Sequence, residues 1–144
     1  MFFGKFGHTI DDKGRLTIPA KYRDDLADGV VITRGVDRCL YIFPLEEWEE
    51  LSQKIRQLPM TDLDSRSFVR FLFSEASDCI PDRQGRALIP GHLREYAGLD
   101  GDVVVAGSFN HLEVWNAQAY QEVNARVEAD PQGLAQRITA LGIL

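Results

Sequence analysis

Two short segments of the sequence place an arginine four residues after an aspartate. They are Asp11 with Arg15 and Asp82 with Arg86, and a glycine directly precedes each arginine, as in a tight turn. Facing each other across a turn, the two side chains can form an ion pair worth about 0–1 kcal/mol when exposed. An arginine held at a fixed angle can also grip a phosphate, or the O6 and N7 edge of guanine, with two hydrogen bonds. The spacing by itself favours a stiffened turn and a nucleic-acid contact about equally.

The two pairs belong to a segment that occurs twice in the chain. Residues 11–19 recur, shifted by 71 positions, as residues 82–90, and the match continues to Arg23 and Arg94 before resuming at a shift of 72. A unit of about 70 residues is marginal for burying its own apolar surface. The two copies are therefore expected to pack on each other, and any site on one copy is expected twice.

The distribution of charge favours nucleic acid although the total does not. The 144 residues carry a net charge of −6, yet residues 1–23 hold five cations and two anions, and residues 66–94 hold five and three. Positive charge thus begins each copy, and an acidic stretch follows it. Four residues are predicted to contact DNA directly, namely Lys13, Arg15, Arg83 and Arg86. Four more are predicted as secondary phosphate contacts: Lys5, Lys21 and Arg23 around the first turn, and Arg94 around the second. Asp11 and Asp82 are predicted to orient the two arginines.

Signatures of other classes of protein are missing from the sequence. It has no glycine-rich loop of the phosphate-binding types, and its three histidines lie at no metal-ligand spacing. Cys39 and Cys79 are isolated, which is typical of buried thiols in a reducing compartment. No apolar run reaches the roughly 18 residues that a membrane span needs. We therefore expect no enzyme activity, no cofactor, no metal and no membrane partner, and a cytoplasmic location.

Strands and short helices must position the two turns. Residues 6–10 and 15–18 are predicted to form a hairpin, and Pro19 to open a short helix that runs through Leu26. A hairpin over residues 30–43 follows, then an amphipathic helix between Pro44 and Pro59 and another after a capping box at residues 61–64. The second copy repeats this order, with predicted helix boundaries at Gly98, Asn116, Asp130 and Gly142.

These residues resemble a known family. The doubled Asp-x-x-Gly-Arg-x-x-Ile-Pro, the start Met-Phe-Phe-Gly and the phrase Leu-Tyr-Ile-Phe-Pro are similar to MraZ, a bacterial family of the AbrB/SpoVT-type superfamily with two tandem copies in one chain. The likeness runs from Phe2 to about Leu141. It implies a mainly β fold with helices (α+β), in which two swapped-hairpin repeats form one pseudo-dimeric β-barrel. The repeats would span residues 5–47, with helices to about 75, and residues 76–119, with helices to 144.

The resemblance also implies a function. It is sequence-specific binding of double-stranded DNA at short direct repeats, as a repressor of the protein's own cell-division and cell-wall operon. The chain would assemble into a ring of identical subunits, associated with the nucleoid. Carried over to this sequence, the family's Asp-x-x-x-Arg motif falls on Asp11 with Arg15 and on Asp82 with Arg86. An AbrB-like antitoxin or protein-interaction module is the alternative, with the apolar helices and acidic surface as the binding face.

Overall fold

The computed structural model describes residues 1–142, and the predicted end of the last helical region at residue 144 lies outside that range. Eight strands and six α-helices occur in the described residues. The strands are β1 (Lys5–Ile10), β2 (Arg15–Thr17), β3 (Val30–Arg34), β4 (Leu40–Pro44), β5 (Ser77–Cys79), β6 (Arg86–Leu88), β7 (Gly101–Gly107) and β8 (Leu112–Asn116). The helices are α1 (Arg23–Leu26, after a 3-10 turn over Ala20–Tyr22), α2 (Leu45–Ile55), α3 (Leu63–Phe73), α4 (Gly91–Ala97), α5 (Ala117–Ala129) and α6 (Pro131–Thr139).

The strands of the two copies are interleaved in one sheet. Their order is β5-β3-β4-β8-β7-β1-β2-β6, and it forms a nearly closed barrel. Four pairings join one copy to the other: β1 with β7, β3 with β5, β2 with β6 and β4 with β8. Each copy therefore completes the sheet of the other. The α+β fold of two swapped-hairpin repeats, each followed by two helices, is confirmed.

Two of these cross-copy pairings have a symmetric register. In β2 and β6, residues 15–17 lie opposite residues 88–86, and in β4 and β8, residues 40–42 lie opposite residues 114–112. A shift of 71 maps residues 15–17 onto 86–88, and a shift of 72 maps residues 40–42 onto 112–114. The two copies are thus related by a pseudo-two-fold axis that passes between the central residues of both pairs.

A single apolar core fills the barrel. Leu16, Ile18, Ile89 and Leu93 are fully buried there beside the β-branched residues of β3 and β7. Strands β2 and β6 alternate, since Leu16 and Ala87 face the core while their neighbours along each strand face outward. The short strands that carry the two arginines are thereby fixed on the barrel wall.

Most predicted helix boundaries are found in the structure. Pro44 directly precedes α2, Gly98 ends α4 with a left-handed φ of +62°, and Asn116 and Asp130 cap α5 and α6 with their side chains. The predicted capping box at residues 61–64 is wrong. Asp62 caps α3 instead, since its carboxylate accepts from the Ser65 N–H at 2.9 Å. The extended backbone of Asp62 makes it the last residue before the helix, which is where a capping side chain must be.

Hydrogen bonds from β3 fix α3 on the barrel. The Thr33 hydroxyl donates to the Leu72 carbonyl at 2.5 Å, and the Arg34 Nε donates to the Phe71 carbonyl at 3.0 Å. Trp48 of α2 packs on Phe73 with ring centroids 4.7 Å apart. None of the helices within residues 1–142 has the length and the apolar character that a membrane span requires.

Candidate nucleic-acid interface

The first turn, residues 11–14, is organised by the carboxylate of Asp11. Its Oδ1 accepts from the backbone N–H of Lys13 at 3.0 Å and of Arg15 at 2.9 Å. Its Oδ2 accepts from the Nε of Arg15 at 2.7 Å. The Gly14 N–H donates to the Asp11 carbonyl at 2.9 Å and closes the turn. One side chain therefore sets both the backbone of the turn and the direction of the guanidinium.

The second turn, residues 82–85, has the same geometry. The Asp82 Oδ1 accepts from the N–H groups of Gln84 and Arg86, both at 2.9 Å, and its Oδ2 accepts from the Arg86 Nε at 2.8 Å. In both turns the guanidinium is held through Nε. Among residues 1–142, the terminal nitrogens of Arg15 and Arg86 donate no hydrogen bond. The edge formed by the terminal nitrogens of each guanidinium, which can make bidentate hydrogen bonds to phosphate or guanine, is therefore available to a ligand.

The hydrogen bonds also hold both aspartates in their charged form. The backbone N–H of Arg15 lowers the pKa of Asp11 most, and the N–H of Arg86 does the same for Asp82. The side chains of the two arginines lower these pKa values further. The carboxylates are ionised at neutral pH, which keeps each guanidinium in its fixed position.

The two glycines of the turns lie against arginines of the other copy. Gly14 has a φ of +83°, and a Cβ there would sit 2.8 Å from the Nε of Arg94. Gly85 has a φ of +74°, and a Cβ there would sit 2.5 Å from the Nε of Arg23. Only glycine combines this left-handed backbone with so close a neighbour.

This arrangement corrects the grouping of charges made from the sequence. The sequence predicts Arg23 at the first turn and Arg94 at the second, but the structure puts Arg94 at the first and Arg23 at the second. The reason is the interleaving of the strands, which brings the helix of one copy to the turn of the other. The two arginines are also fixed, because their Nε atoms donate to the carbonyls of Ile18 and Ile89 at 3.1 and 3.0 Å.

Arg15 and Arg86 lie on one face of the barrel. Because residues on opposite strands share a face with their direct partners, the outer face of β2 and β6 presents Arg15, Thr17, Arg86 and Leu88. We call this two-stranded element, Arg15–Thr17 with Arg86–Leu88, the ribbon. Arg15 and Arg86 occupy diagonal positions in the ribbon, with their Cα atoms about 7–8 Å apart. Their side chains are 33% and 27% exposed, so both reach solvent.

The other predicted residues fall into two places. Lys13 and Arg83 are exposed in the two turns, beside the ribbon.

Lys5 pairs with Ala106 at the far end of β1, five residues or roughly 17 Å from Ile10 and the first turn. Lys5 and Lys21 lie over the rings of Tyr120 and Phe3, at 5.5 and 3.4 Å from the ring centroids. The structure thus brings six of the eight cations to the two turns and the ribbon, and it places Lys5 and Lys21 elsewhere.

Thr17 and Leu88 are two residues of the candidate interface that the charge pattern of the sequence does not predict. Both stand on the outer face between the arginines, and Leu88 is 55% exposed. The alternation of buried Leu16 and Ala87 with their neighbours is the signal that finds them, since successive residues of a strand face opposite sides.

Other kinds of site have little support in the described residues. Within residues 1–142, no group of three or more His, Cys, Asp or Glu side chains could hold a metal ion. Cys39 is buried, and this burial raises the pKa of its thiol to about 12. It is therefore a protonated thiol at neutral pH, a poor nucleophile.

Comparison with known proteins gives a consistent result along the whole chain. A family model described as "MraZ protein, putative antitoxin-like" matches twice, over residues 1–71 and 72–139. The chain is 48% identical to the transcriptional regulator MraZ of Moorella thermoacetica over 143 residues, which is 99% of this chain and 100% of that protein. It is 49% identical to the protein of the same name from Roseiflexus castenholzii over 141 residues, 98% and 99% of the two chains. It is 47% identical to the transcriptional regulator MraZ of Desulforamulus reducens, again over 98% of this chain and 99% of that protein. The similarity covers both turns and the ribbon. The chain belongs to the MraZ family, and these three relatives are named as transcriptional regulators.

Proposed function

We propose that this protein regulates transcription by binding double-stranded DNA through the ribbon and its two turns. The observation that carries the proposal is the pair of guanidinium groups on one outer face, each held by an aspartate through Nε alone. A two-stranded ribbon is narrow enough to enter a major groove about 12 Å wide. Arg15 and Arg86 would read base edges there, while the exposed cations beside them contact phosphates.

Electrostatics support this orientation. Lys13, Arg83, Arg23 and Arg94 lie at the two turns, whereas the exposed face of α2 carries four glutamates at positions 46, 47, 49 and 50. A DNA duplex would attract the first surface and repel the second, so the molecule would approach DNA in one orientation. The net charge of −6 is compatible with DNA binding because the acidic face of α2, which packs on β3 and β4, lies on another part of the surface.

The regulatory role, the location and the assembly that we propose are those that membership of the MraZ family implies. The protein would be a repressor of its own cell-division and cell-wall operon, would act on the nucleoid in the cytoplasm, and would bind short direct repeats as a ring of subunits. The two halves that supply the ribbon would be residues 5–47 and 76–119. Exposed apolar residues of the helices could form contacts between subunits, namely Leu63, Phe68 and Leu134. Several ribbons in one ring would engage neighbouring repeats together, so weak single contacts would add up to tight binding.

The first prediction tests the arginines. In Arg15→Ala we expect specific affinity to fall by about 1–3 kcal/mol per ribbon, the range for one two-pronged base contact. The unfolding midpoint should stay near that of the wild type, since the lost ion pair is solvent-exposed. A gel shift with DNA from upstream of the protein's own gene, competed with specific and random duplex, measures the affinity.

The matched control is Arg126→Ala, which removes the same charge from α5, a helix that packs on β7 and β8. It should bind as the wild type does. Equal binding by Arg15→Ala and wild type would refute the role of Arg15. A basic protein that co-purifies with the chain, together with no DNA binding, would favour the protein-interaction alternative.

A further inference from the structure

Leu88 is an exposed leucine in the middle of a polar, cationic face. It lies directly opposite Arg15 on the ribbon and two residues along β6 from Arg86, with its side chain outward. Just over half of its surface is accessible, while the next residue inward, Ala87, is fully buried. The leucine therefore contributes little to the core and is available to whatever the two arginines bind.

The positions around Leu88 fix which part of a DNA duplex it would meet. The Cβ atom of its direct partner Arg15 is about 5 Å from that of Leu88. The Cα atom of Arg86, two residues along the strand, is about 7 Å from that of Leu88. Base pairs are stacked about 3.4 Å apart. If the two guanidinium groups hold base edges in the major groove, Leu88 reaches a base within one or two steps of them. The apolar group that the base edges present in that groove is the C5-methyl of thymine.

We propose that Leu88 is a specificity-determining residue that reads a thymine methyl group next to the bases held by Arg15 and Arg86. This inference rests on the proposed DNA binding and adds a base preference to it. At the pseudo-symmetric position of the first copy the residue is Thr17, which is half-buried and shorter. The two halves of the ribbon therefore read different sequences, so the site of one subunit is not a palindrome. Such a site suits operators built from direct repeats.

The test removes only methyl groups from the DNA. Duplexes selected by the wild-type protein from a randomised pool supply the binding site, and each thymine in turn is replaced by deoxyuridine. For the wild-type protein we expect one replacement, within two base pairs of an arginine-contacted guanine, to weaken binding about fourfold, as for one buried methyl group. Leu88→Ala should bind the thymine duplex about fourfold more weakly and be indifferent to deoxyuridine at that position.

Two further variants complete the experiment. Leu88→Met, with a side chain of similar volume, should keep most of the sensitivity to the methyl group. Leu45→Ala makes the same chemical change at an exposed leucine at the start of α2 and should keep all of it. The inference is overturned if the wild type tolerates every deoxyuridine, or if Leu88→Ala retains the same sensitive position.

The outcomes also separate this inference from the proposed function. If the wild-type protein enriches no duplex from the pool, or if Arg15→Ala binds the selected duplex as well as wild type, DNA reading by the ribbon fails and the role of Leu88 fails with it. If selection succeeds and Arg15→Ala is defective but no thymine methyl matters, only the role of Leu88 is lost.

Discussion

Each turn aspartate uses its two oxygens for separate tasks. In the first turn, Oδ1 of Asp11 organises the backbone through two N–H groups, and Oδ2 directs the guanidinium of Arg15. The oxygen of an asparagine could still accept from the two backbone N–H groups. Its amide nitrogen, however, would face the Nε donor of Arg15 and could not accept a hydrogen bond from it. The pair of functions can thus be separated by a single substitution.

We predict that Asp11→Asn folds as the wild type does but binds specific DNA more weakly. The backbone of the turn keeps its two hydrogen bonds, whereas the guanidinium loses its fixed direction. Thermal unfolding and the same gel shift measure the two effects. Asp11→Ala, which loses both tasks, should be impaired in stability as well. Wild-type affinity in Asp11→Asn would mean that orientation of Arg15 by the carboxylate is unimportant.

We expect His111 to make the stability of the protein depend on pH, independently of the ribbon. Its ring lies 4.7 Å from that of Tyr41 and 5.0 Å from that of Phe43, and burial lowers its pKa below the usual 6.5. Below pH 6.5 the unfolded chain binds a proton that the folded chain resists. The free energy of unfolding therefore falls as the pH drops from about 6.5 to the folded pKa.

In His111→Phe, we predict a smaller loss of stability between pH 7.5 and pH 5 than in the wild type. Urea unfolding at the two pH values measures it. A residual dependence should remain, because burial, and secondarily the charge of Arg23, lower the pKa of His8 in the same direction. An unchanged dependence in His111→Phe would assign the effect to other groups.

At the scale of elements, the turns depend on the contact between a glycine of one copy and an arginine of the other. Gly14 and Gly85 combine a left-handed backbone with an arginine directly against the Cα. This packing joins the hairpin of one copy to the helical segment of the other. It fixes both arginines that flank the ribbon, so the geometry of the turns and the position of these two charges are linked.

We predict that Gly14→Ala destabilises the protein by about 1–3 kcal/mol, the cost of a non-glycine residue in this region of backbone space. Displacement of Arg94 from the turn should also weaken DNA binding. The control is Gly7→Ala in β1, where an added Cβ would meet no atom within 4 Å. Chemical denaturation compares the two variants, and equal stability of Gly14→Ala and Gly7→Ala would contradict the prediction.

At the scale of the whole molecule, the interleaved sheet makes each copy dependent on the other. Without its partner, the first copy loses the pairing of β1 with β7, of β3 with β5, of β2 with β6 and of β4 with β8. The outer face that carries both arginines exists only when β2 and β6 are paired. Stability and the candidate site thus have the same origin.

We predict that fragments 1–75 and 76–144 do not fold as monomers, and that mixing them restores the barrel. Each fragment leaves strand edges and core residues exposed that it cannot cover alone. Circular dichroism, NMR dispersion and mass in solution measure the outcome. A self-paired dimer of one fragment would agree with the pseudo-two-fold register, whereas a folded monomer of 1–75 would contradict the prediction.

Much of this protein could be predicted from its sequence because the signals are local. The turn residues around Gly14 and Gly85, the helix starts at Pro44 and Asn116, and the duplication itself all depend on neighbours within a few positions. Even the Asp11–Arg15 contact spans only four residues. Such features are set by backbone preferences and by hydrogen bonds between residues close in sequence, so the sequence alone specifies them.

Long-range packing determines which groups lie together on one surface. The pairing of Arg15 with Leu88, and the exchange of Arg23 and Arg94 between the two turns, join residues about 70 positions apart. No periodicity within a strand specifies its partner or register, because these follow from packing Leu16 and Ala87 into a shared core. Local sequence patterns therefore specify the two arginine turns, whereas the packing of the barrel brings both arginines to one face, with Leu88 opposite Arg15.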